Sequence, residues 1–349
     1  MTICGFCCNR LLIVLVVCIA IAYLPGLPPD LSFEPFSPTP PRELEGSLQV
    51  NEKLNGAQHI LVGQIKNPEG FAVANNTLYT GVEGGNVVKI IGDKMIPVAN
   101  LAHPCIDSWD EKNCGRLLGL QFDKHGMLYV VDAYYGIYKV NVNTGKVLHL
   151  ISTDKPIEGK MAKFANSVTV AKDGTLYWTV SSCDVVYWLA GPKKGTWDVF
   201  VDGLPGLPDN VRSNDKGGFF VSLVLARSSS MPAVTDILGS YPVFRRFLVR
   251  LLYLIEAPFD IIHRAYPNIY TGIITHWVSN NELLTPVLPK ALIVVEVSET
   301  GEIIDSLQST DKRVTFVSDF VEVDNFYYLG SPVNNFLGRV IAPAKSTRQ

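Results

Sequence analysis

Hydrophobic positions along the chain fall into two regimes. From 11 to 24 they are unbroken, with Arg10 before them and Pro25-Gly26 after. Beyond a Pro-rich, non-periodic stretch at 30–42 they alternate with polar positions in short runs, and Asp-, Asn- and Gly-rich turns separate the runs. Alternation of this kind predicts half-buried strands joined by tight hairpins. One unit recurs: an apolar strand, a turn, then an aromatic strand. Gly70-Phe71-Ala72-Val73 leads to Leu78-Tyr79-Thr80, Gly119-Leu120-Gln121-Phe122 to Leu128-Tyr129-Val130, and Ser167-Val168-Thr169-Val170 to Leu176-Tyr177-Trp178. Val211-Arg212-Ser213-Asn214 leads to Phe219-Phe220-Val221, and Phe320-Val321-Glu322-Val323 to Phe326-Tyr327-Tyr328.

Successive aromatic strands lie 50, 48, 43 and 108 residues apart, counted Tyr79, Tyr129, Tyr177, Phe220, Tyr328. Self-similarity at about forty to fifty residues with about four strands per unit predicts an all-β fold, a β-propeller. Five blades are countable, at 69–100, 115–151, 164–202, 208–310 and 314–345. His59-Ile60-Leu61-Val62 is available to complete the last one and remove an open sheet edge. The long final interval holds a different pattern at 231–290. There Phe244, Phe247, Leu248, Leu251, Leu252 and Ile255 recur at helical spacing, with Arg245, Arg246 and Arg250 between them. A helical insertion is expected, serving as a lid, as a membrane-contacting element or as a plain capping helix.

The N-terminal run sets the compartment. It predicts a signal-anchor helix at 11–27 after a cytosolic 1–10, with a Pro-rich stem at 28–55 and the propeller at 56–345. The alternative is a cleaved signal peptide ending at Ala20-Ile21-Ala22. Either way the propeller faces the extracellular space or an endomembrane lumen, as in a single-pass type II membrane protein. Cys4, Cys7 and Cys8 flank the run as free thiols or acylation sites. Cys105 and Cys114 lie in one polar loop that an oxidising compartment would join, leaving Cys183 unpaired. Asn75-Asn76-Thr77 is a glycosylation sequon before a strand. A net charge of −3 with scattered basic residues argues against a nucleic-acid partner.

Several longer strings carry a resemblance. Asn67-Pro68-Glu69-Gly70, His103-Pro104-Cys105, Cys114-Gly115-Arg116-Leu117-Leu118-Gly119, Val131-Asp132-Ala133-Tyr134-Tyr135-Gly136, Pro156-Ile157-Glu158-Gly159-Lys160 and 204–212 follow one another in order. Together they resemble the strictosidine synthase-like proteins, in the adipocyte plasma membrane-associated protein and insect hemomucin branch. The resemblance implies a type II anchor and a six-bladed propeller, in a superfamily with paraoxonases, gluconolactonases and plant strictosidine synthases. It breaks between Cys183 and Leu204, where the family has the end of one blade and essentially a further one. Here only twenty residues intervene, so a blade is expected to be missing unless 184–188 continues as a strand in a five-bladed ring.

Standard catalytic strings are absent: no Gly-x-Ser-x-Gly, no His-Glu-x-x-His, no phosphate loop. The resemblance implies a calcium held by Glu69, Asn166, Asp209 and Asn210, where it would polarise an ester or lactone oxygen. Each of these is also a good turn residue, and a further asparagine of the family belongs to the missing blade. Plant strictosidine synthases use a glutamate in the last blade, and here Asp319 is the nearby carboxylate. His103 and His125 are loop histidines that could act as bases. Two functions follow as expectations. One is a weak arylesterase- or lactonase-like hydrolase acting on a small-molecule ester. The other is a non-catalytic protein binding a surface ligand.

Overall fold

The computed structural model describes residues 3–29, 31–105, 107–108, 110–157, 164–180, 199–214, 216–279, 285–286 and 288–343. Cys183 and the junction at 184–188 lie outside them. The chain forms two compact units, one from 41–228 and 289–349 and the other from 1–40 and 229–288.

The larger unit is mostly β. After β1 (Gln58–Ile60), the strands β2 (Phe71–Ala74), β3 (Thr77–Val82), β4 (Asn86–Ile91) and β5 (Lys94–Asn100) form one antiparallel sheet. The next holds β6 (Leu117–Phe122), β7 (Leu128–Asp132), β8 (Gly136–Val140) and β9 (Val147–Ser152). Then come the pair β10 (Ala165–Val170) and β11 (Leu176–Val180), and a sheet of β12 (Gly206–Ser213), β13 (Phe219–Ala226), β14 (Leu292–Val297) and β15 (Ile303–Ser309). The last sheet holds β16 (Asp319–Val323), β17 (Phe326–Gly330) and β18 (Leu337–Ile341), with β1 added at its outer edge. That pairing, Gln58 opposite Arg339 through Ile60 opposite Leu337, is the edge closure expected from the sequence.

Sequential antiparallel order within each sheet follows from the turns. Asn75 and Asn76 both take left-handed φ (48° and 58°), the pair of conformations a two-residue hairpin needs. Innermost strands pack in the order β10, β6, β2, β16, β12, a propeller-like arrangement. Apolar clusters fill the space between successive sheets. Phe71, Leu78 and Val88 meet Tyr328 and Leu337, while Ala72 and Tyr79 meet Leu117, Leu120 and Leu128. Tyr129 and Val131 meet Ala165 and Val168, and Leu292 and Val294 meet Phe320 and Leu329. Each fully buried side chain of this size contributes about 1.5–3 kcal/mol, so the sheets adhere through these seams. The bridge Cys105–Cys114 forms, with Cα atoms 5.1 Å apart, across the loop carrying the short helix α2 (Glu111–Cys114).

The smaller unit is helical, with α1 (Ile3–Tyr23), α3 (Val234–Leu238), α4 (Pro242–Ala265) and α5 (Ile269–Ser279). The insertion is therefore helical, as its spacing predicts, and α4 begins two residues before the 244–255 pattern and runs ten past its end. Pro242 in the first turn suits its missing N–H. Among the described residues no helix is long and apolar enough to cross a membrane. The Pro-rich stem divides between the units. Within the helical one, the Phe36 amide donates to the Gly239 carbonyl at 3.1 Å, and the Arg245 guanidinium lies 4.6 Å from the Phe36 ring centroid. Within the sheet unit, Leu48 and Leu54 are buried, and the Leu54 amide donates to Gln308.

Candidate functional site

The innermost strands and the turns before them bring polar residues of different sheets together. Before β2, Asn67 adopts a left-handed φ of 52°, a conformation Asn tolerates better than most residues, and the turn ends on Glu69. The Glu69 side chain is buried. Its Oε1 accepts from Asn210 Nδ2 at 3.3 Å, whereas Oε2 is buried with no hydrogen-bond partner. The surrounding backbone is drawn tight: Ser318 Oγ donates to the Glu69 carbonyl at 2.8 Å, and the Asn210 amide donates to Ser318 O at 3.0 Å. Gly330 permits this approach, since a Cβ there would sit 2.7 Å from the Glu69 carbonyl oxygen.

Three innermost strands carry irregularities at this level. Register shifts fall between Leu117 and Leu120 in β6, between Ala165 and Val168 in β10, and between Pro208 and Val211 in β12. Bulges re-aim side chains that a regular pleat would direct into a sheet face. The last two contain Asn166 and the pair Asp209-Asn210.

An ion pair that the residue pattern did not single out lies beside this cluster. Asp319 is completely buried and receives Arg212 Nε at 2.8 and 3.1 Å on its two oxygens, with Arg212 Nη2 donating as well. The Phe71 amide donates to Asp319 at 2.7 Å and its neighbour Phe320 at 2.9 Å. Arg212 Nη1 also reaches the Leu120 carbonyl at 3.4 Å, so one side chain links the second, fourth and fifth sheets. Arg116 is the other cation, bound to Glu111 at 2.9 and 3.1 Å and to the Pro332 carbonyl at 3.3 Å.

Electrostatics follow from this crowding. Burial pushes the Glu69 carboxyl well above the ordinary carboxylate range; Asp209 and Asp319 add to the rise, and Arg116 and Arg212 oppose it. Burial, then Asp319, raises half-buried Asp209 to about 7, against Arg116. Nearby Asp132 is fully buried, and burial pushes it up to about 6. Its Oδ1 accepts from the Tyr134 and Tyr135 amides while Oδ2 has no partner.

Of the residues expected from the sequence, Glu69 and Asn210 touch, and Asp209 lies within their electrostatic reach. Asn166 occupies the corresponding bulge of the third sheet. Asp319 belongs to the same centre but is fully engaged by Arg212 and two amides. His103 stacks on Tyr135 with ring centroids 3.7 Å apart, and its Nε2 lies 3.2 Å from the Tyr138 hydroxyl. His125 is exposed in the β6–β7 turn, its amide held by Asp123. Asn75 is exposed at its hairpin tip. Among the described residues, no group of three or more His, Cys, Asp or Glu side chains is assembled that could hold a metal ion. Arg116, Arg212, Glu111 and Asp132 were missed as site residues. Their signal was a charge just before an innermost strand (Arg116), within one (Arg212), at the end of its neighbour (Asp132) or in the short helix ahead of it (Glu111).

Residues 46–90 match the family described as strictosidine synthase-like, N-terminal. The adipocyte plasma membrane-associated protein hemomucin of Drosophila melanogaster is 35% identical over 402 residues, covering 96% of this chain and 69% of that one. The adipocyte plasma membrane-associated protein of Gallus gallus is 29% identical, with 88% and 83% covered. Among solved structures, a catalytically inactive virginiamycin B lyase from Staphylococcus aureus aligns with a TM-score of 0.35 at 8% identity, covering 81% of this chain and 97% of that one.

Proposed function

Because the chain belongs to the strictosidine synthase-like family, in the branch of adipocyte plasma membrane-associated protein and hemomucin, we propose that it is a membrane-attached propeller with weak arylesterase- or lactonase-type hydrolase activity. The observation that carries this reading is Glu69. A buried carboxyl with one oxygen held by Asn210 and the other without a partner is poised to bind something outside the protein. Its raised proton affinity, and that of Asp209 near 7, suit groups that hold or move a proton at neutral pH. Asn210 orients Glu69, and the Arg212–Asp319 pair fixes the strand ends on which both sit.

A hard cation is a second candidate ligand, although no group of three His, Cys, Asp or Glu side chains is gathered to hold one among the described residues. The unpartnered Glu69 Oε2, Asp209, Asn210 and Asn166 are oxygen donors of the type calcium prefers. When bound there, calcium would polarise an ester carbonyl as a Lewis acid. The set is short of a full shell, as the reading of a chain with about one blade fewer than a six-bladed ring would have it. Low activity is therefore expected of this chain. The test is hydrolysis of phenyl acetate and of a simple lactone by the purified protein, with and without chelator, against Glu69→Gln. Calcium-dependent turnover lost in the variant supports the reading. Turnover equal in both sinks it.

A second reading, a non-catalytic platform for a surface ligand, is favoured by one observation. Arg212 and two backbone amides take up both oxygens of Asp319, which leaves that carboxylate nothing free to act on a substrate.

Attachment rests on the apolar helix α1, whose described side chains from Leu12 to Val17 are 50–63% exposed. A stretch such as Leu12–Val17, apolar all round and exposed, calls for lipid. Although among the described residues no helix is long and apolar enough to cross a membrane, we read α1 as the uncleaved type II anchor that the apolar run at 11–24 predicts, with the sheets on the extracellular or lumenal side, where Asn75 is open to glycosylation.

A further inference from the structure

Of the 24 residues of α4, only Arg250 is buried. A helix on a globular surface normally hides its apolar stripe and exposes its charges. Here the order is reversed. Phe244, Leu254, Ile255, Ile261 and Ile262 are 39–65% exposed, although at about 100° per residue they all fall on one half of the helix. Arg245, Arg246, Glu256, Asp260 and Arg264 fall on the other half. The apolar surface continues beyond the helix end, where Tyr266, Tyr270 and Trp277 are 74%, 78% and 47% exposed. Amphipathic aromatic rings of this kind concentrate at membrane–water boundaries.

The buried arginine shows what α4 is fastened to. Its Nη1 donates to the carbonyls of Ile21, Ala22 and Leu24 at 3.3, 3.0 and 3.1 Å. The first two are C-terminal carbonyls of α1, which a helix leaves without internal partners and which favour a cation; the third follows directly after the helix end. Ala22 is 2% exposed. Cleavage after Ala22 would take away two of the three carbonyl acceptors of a buried guanidinium, which favours a retained N-terminus. An apolar cavity of about 430 Å³ lies between the two helices, bordered by Cys18, Ala22, Tyr23, Pro242 and Phe247.

We propose that the insertion is a second membrane-contacting element, locked to the N-terminal helix through Arg250, which lays the exposed apolar half of α4 and the aromatic residues after it into the interface of a phospholipid bilayer. Its occupant is lipid because this surface runs on from the bare apolar surface of α1 within one compact unit, and the cavity between them is of a size and lining to admit an acyl chain. The inference rests on the membrane attachment read from α1, but predicts contact at a separate segment.

The test reconstitutes the full chain in phosphatidylcholine vesicles carrying a photoactivatable acyl-chain probe and maps adducts by mass spectrometry. Adducts are expected within 243–270 as well as in α1. The double variant Ile261→Ser, Ile262→Ser should lower the yield in 243–270 severalfold and leave that in α1 unchanged, with circular dichroism confirming that the helices remain. Adducts in α1 alone would overturn the proposal and leave the anchor standing. Adducts in neither segment would overturn both. Adducts in 243–270 alone would uphold the insertion and remove the anchor. If both wild-type segments react but the Ser variant loses no yield, the apolar face of α4 is not the contact, and the proposal fails.

Discussion

Replacing Asp209 with Asn tests the electrostatic picture of the site directly. Folding raises the carboxyl from an ordinary 3.8 to about 7, so the folded chain binds this proton more tightly than the unfolded one. Stability from the group is therefore complete below about pH 4, falls as pH rises towards 7, and is absent above it. At 1.36 kcal/mol per pH unit the full displacement amounts to roughly 4 kcal/mol. Water reaching a half-buried carboxyl reduces this, and roughly 2–4 kcal/mol is a fair range. Asp209→Asn removes the charge at nearly constant shape. In chelator, the variant should be more stable than wild type by that amount at pH 8 and nearly equal to it at pH 4. Urea unfolding midpoints at pH 4, 6 and 8 measure the effect. Calcium should reverse the order: an ion that binds the folded state stabilises wild type by mass action, and Asp209→Asn responds less. A difference that does not change with pH, or a variant less stable than wild type at pH 8 in chelator, would refute the assigned burial and charge crowding.

Other expectations follow from the same contacts. Arg212→Met or Asp319→Asn leaves a buried charge without its partner and should cost about 3–5 kcal/mol in denaturant unfolding, with strong coupling in the double-mutant cycle. Gly119→Ala would bring a Cβ to 2.6 Å from Ser167 Cα. Because backbone is in the way, a loss of about 1–3 kcal/mol is expected by the same assay. Cys105→Ser should lower stability by about 2–3 kcal/mol through loop entropy, and non-reducing peptide mapping of wild type should show the bridge. Intact-mass analysis of protein from membranes should find residues before Tyr23 retained and resistant to carbonate extraction; a species starting at Tyr23 would show cleavage instead.

Much of the sheet unit was legible because its signals are local. Strand alternation, paired Asn or Asp-Gly turns and recurring aromatic strands all act within a few residues, and each proposes its own hairpin wherever it sits. The edge strand at His59 and the helical insertion were readable for the same reason. What the sequence by itself determined is thus the elements, their order and the residue types at the strand ends. Tertiary structure alone decided which of those ends meet. Glu69 finds Asn210 across 141 positions, and Arg212 finds Asp319 across 107. No local propensity encodes such distances, because they depend on how successive sheets pack around a centre. Packing also separated Asp319, locked by an arginine that only the fold supplies, from Glu69, which keeps an unpartnered oxygen. It likewise reassigned Arg250, spaced like a solvent-facing charge of an amphipathic helix, to the C-terminal carbonyls of a helix 228 positions away. Burial of a charge depends on which acceptors another segment brings to it, and the helical pattern of α4 holds no record of α1.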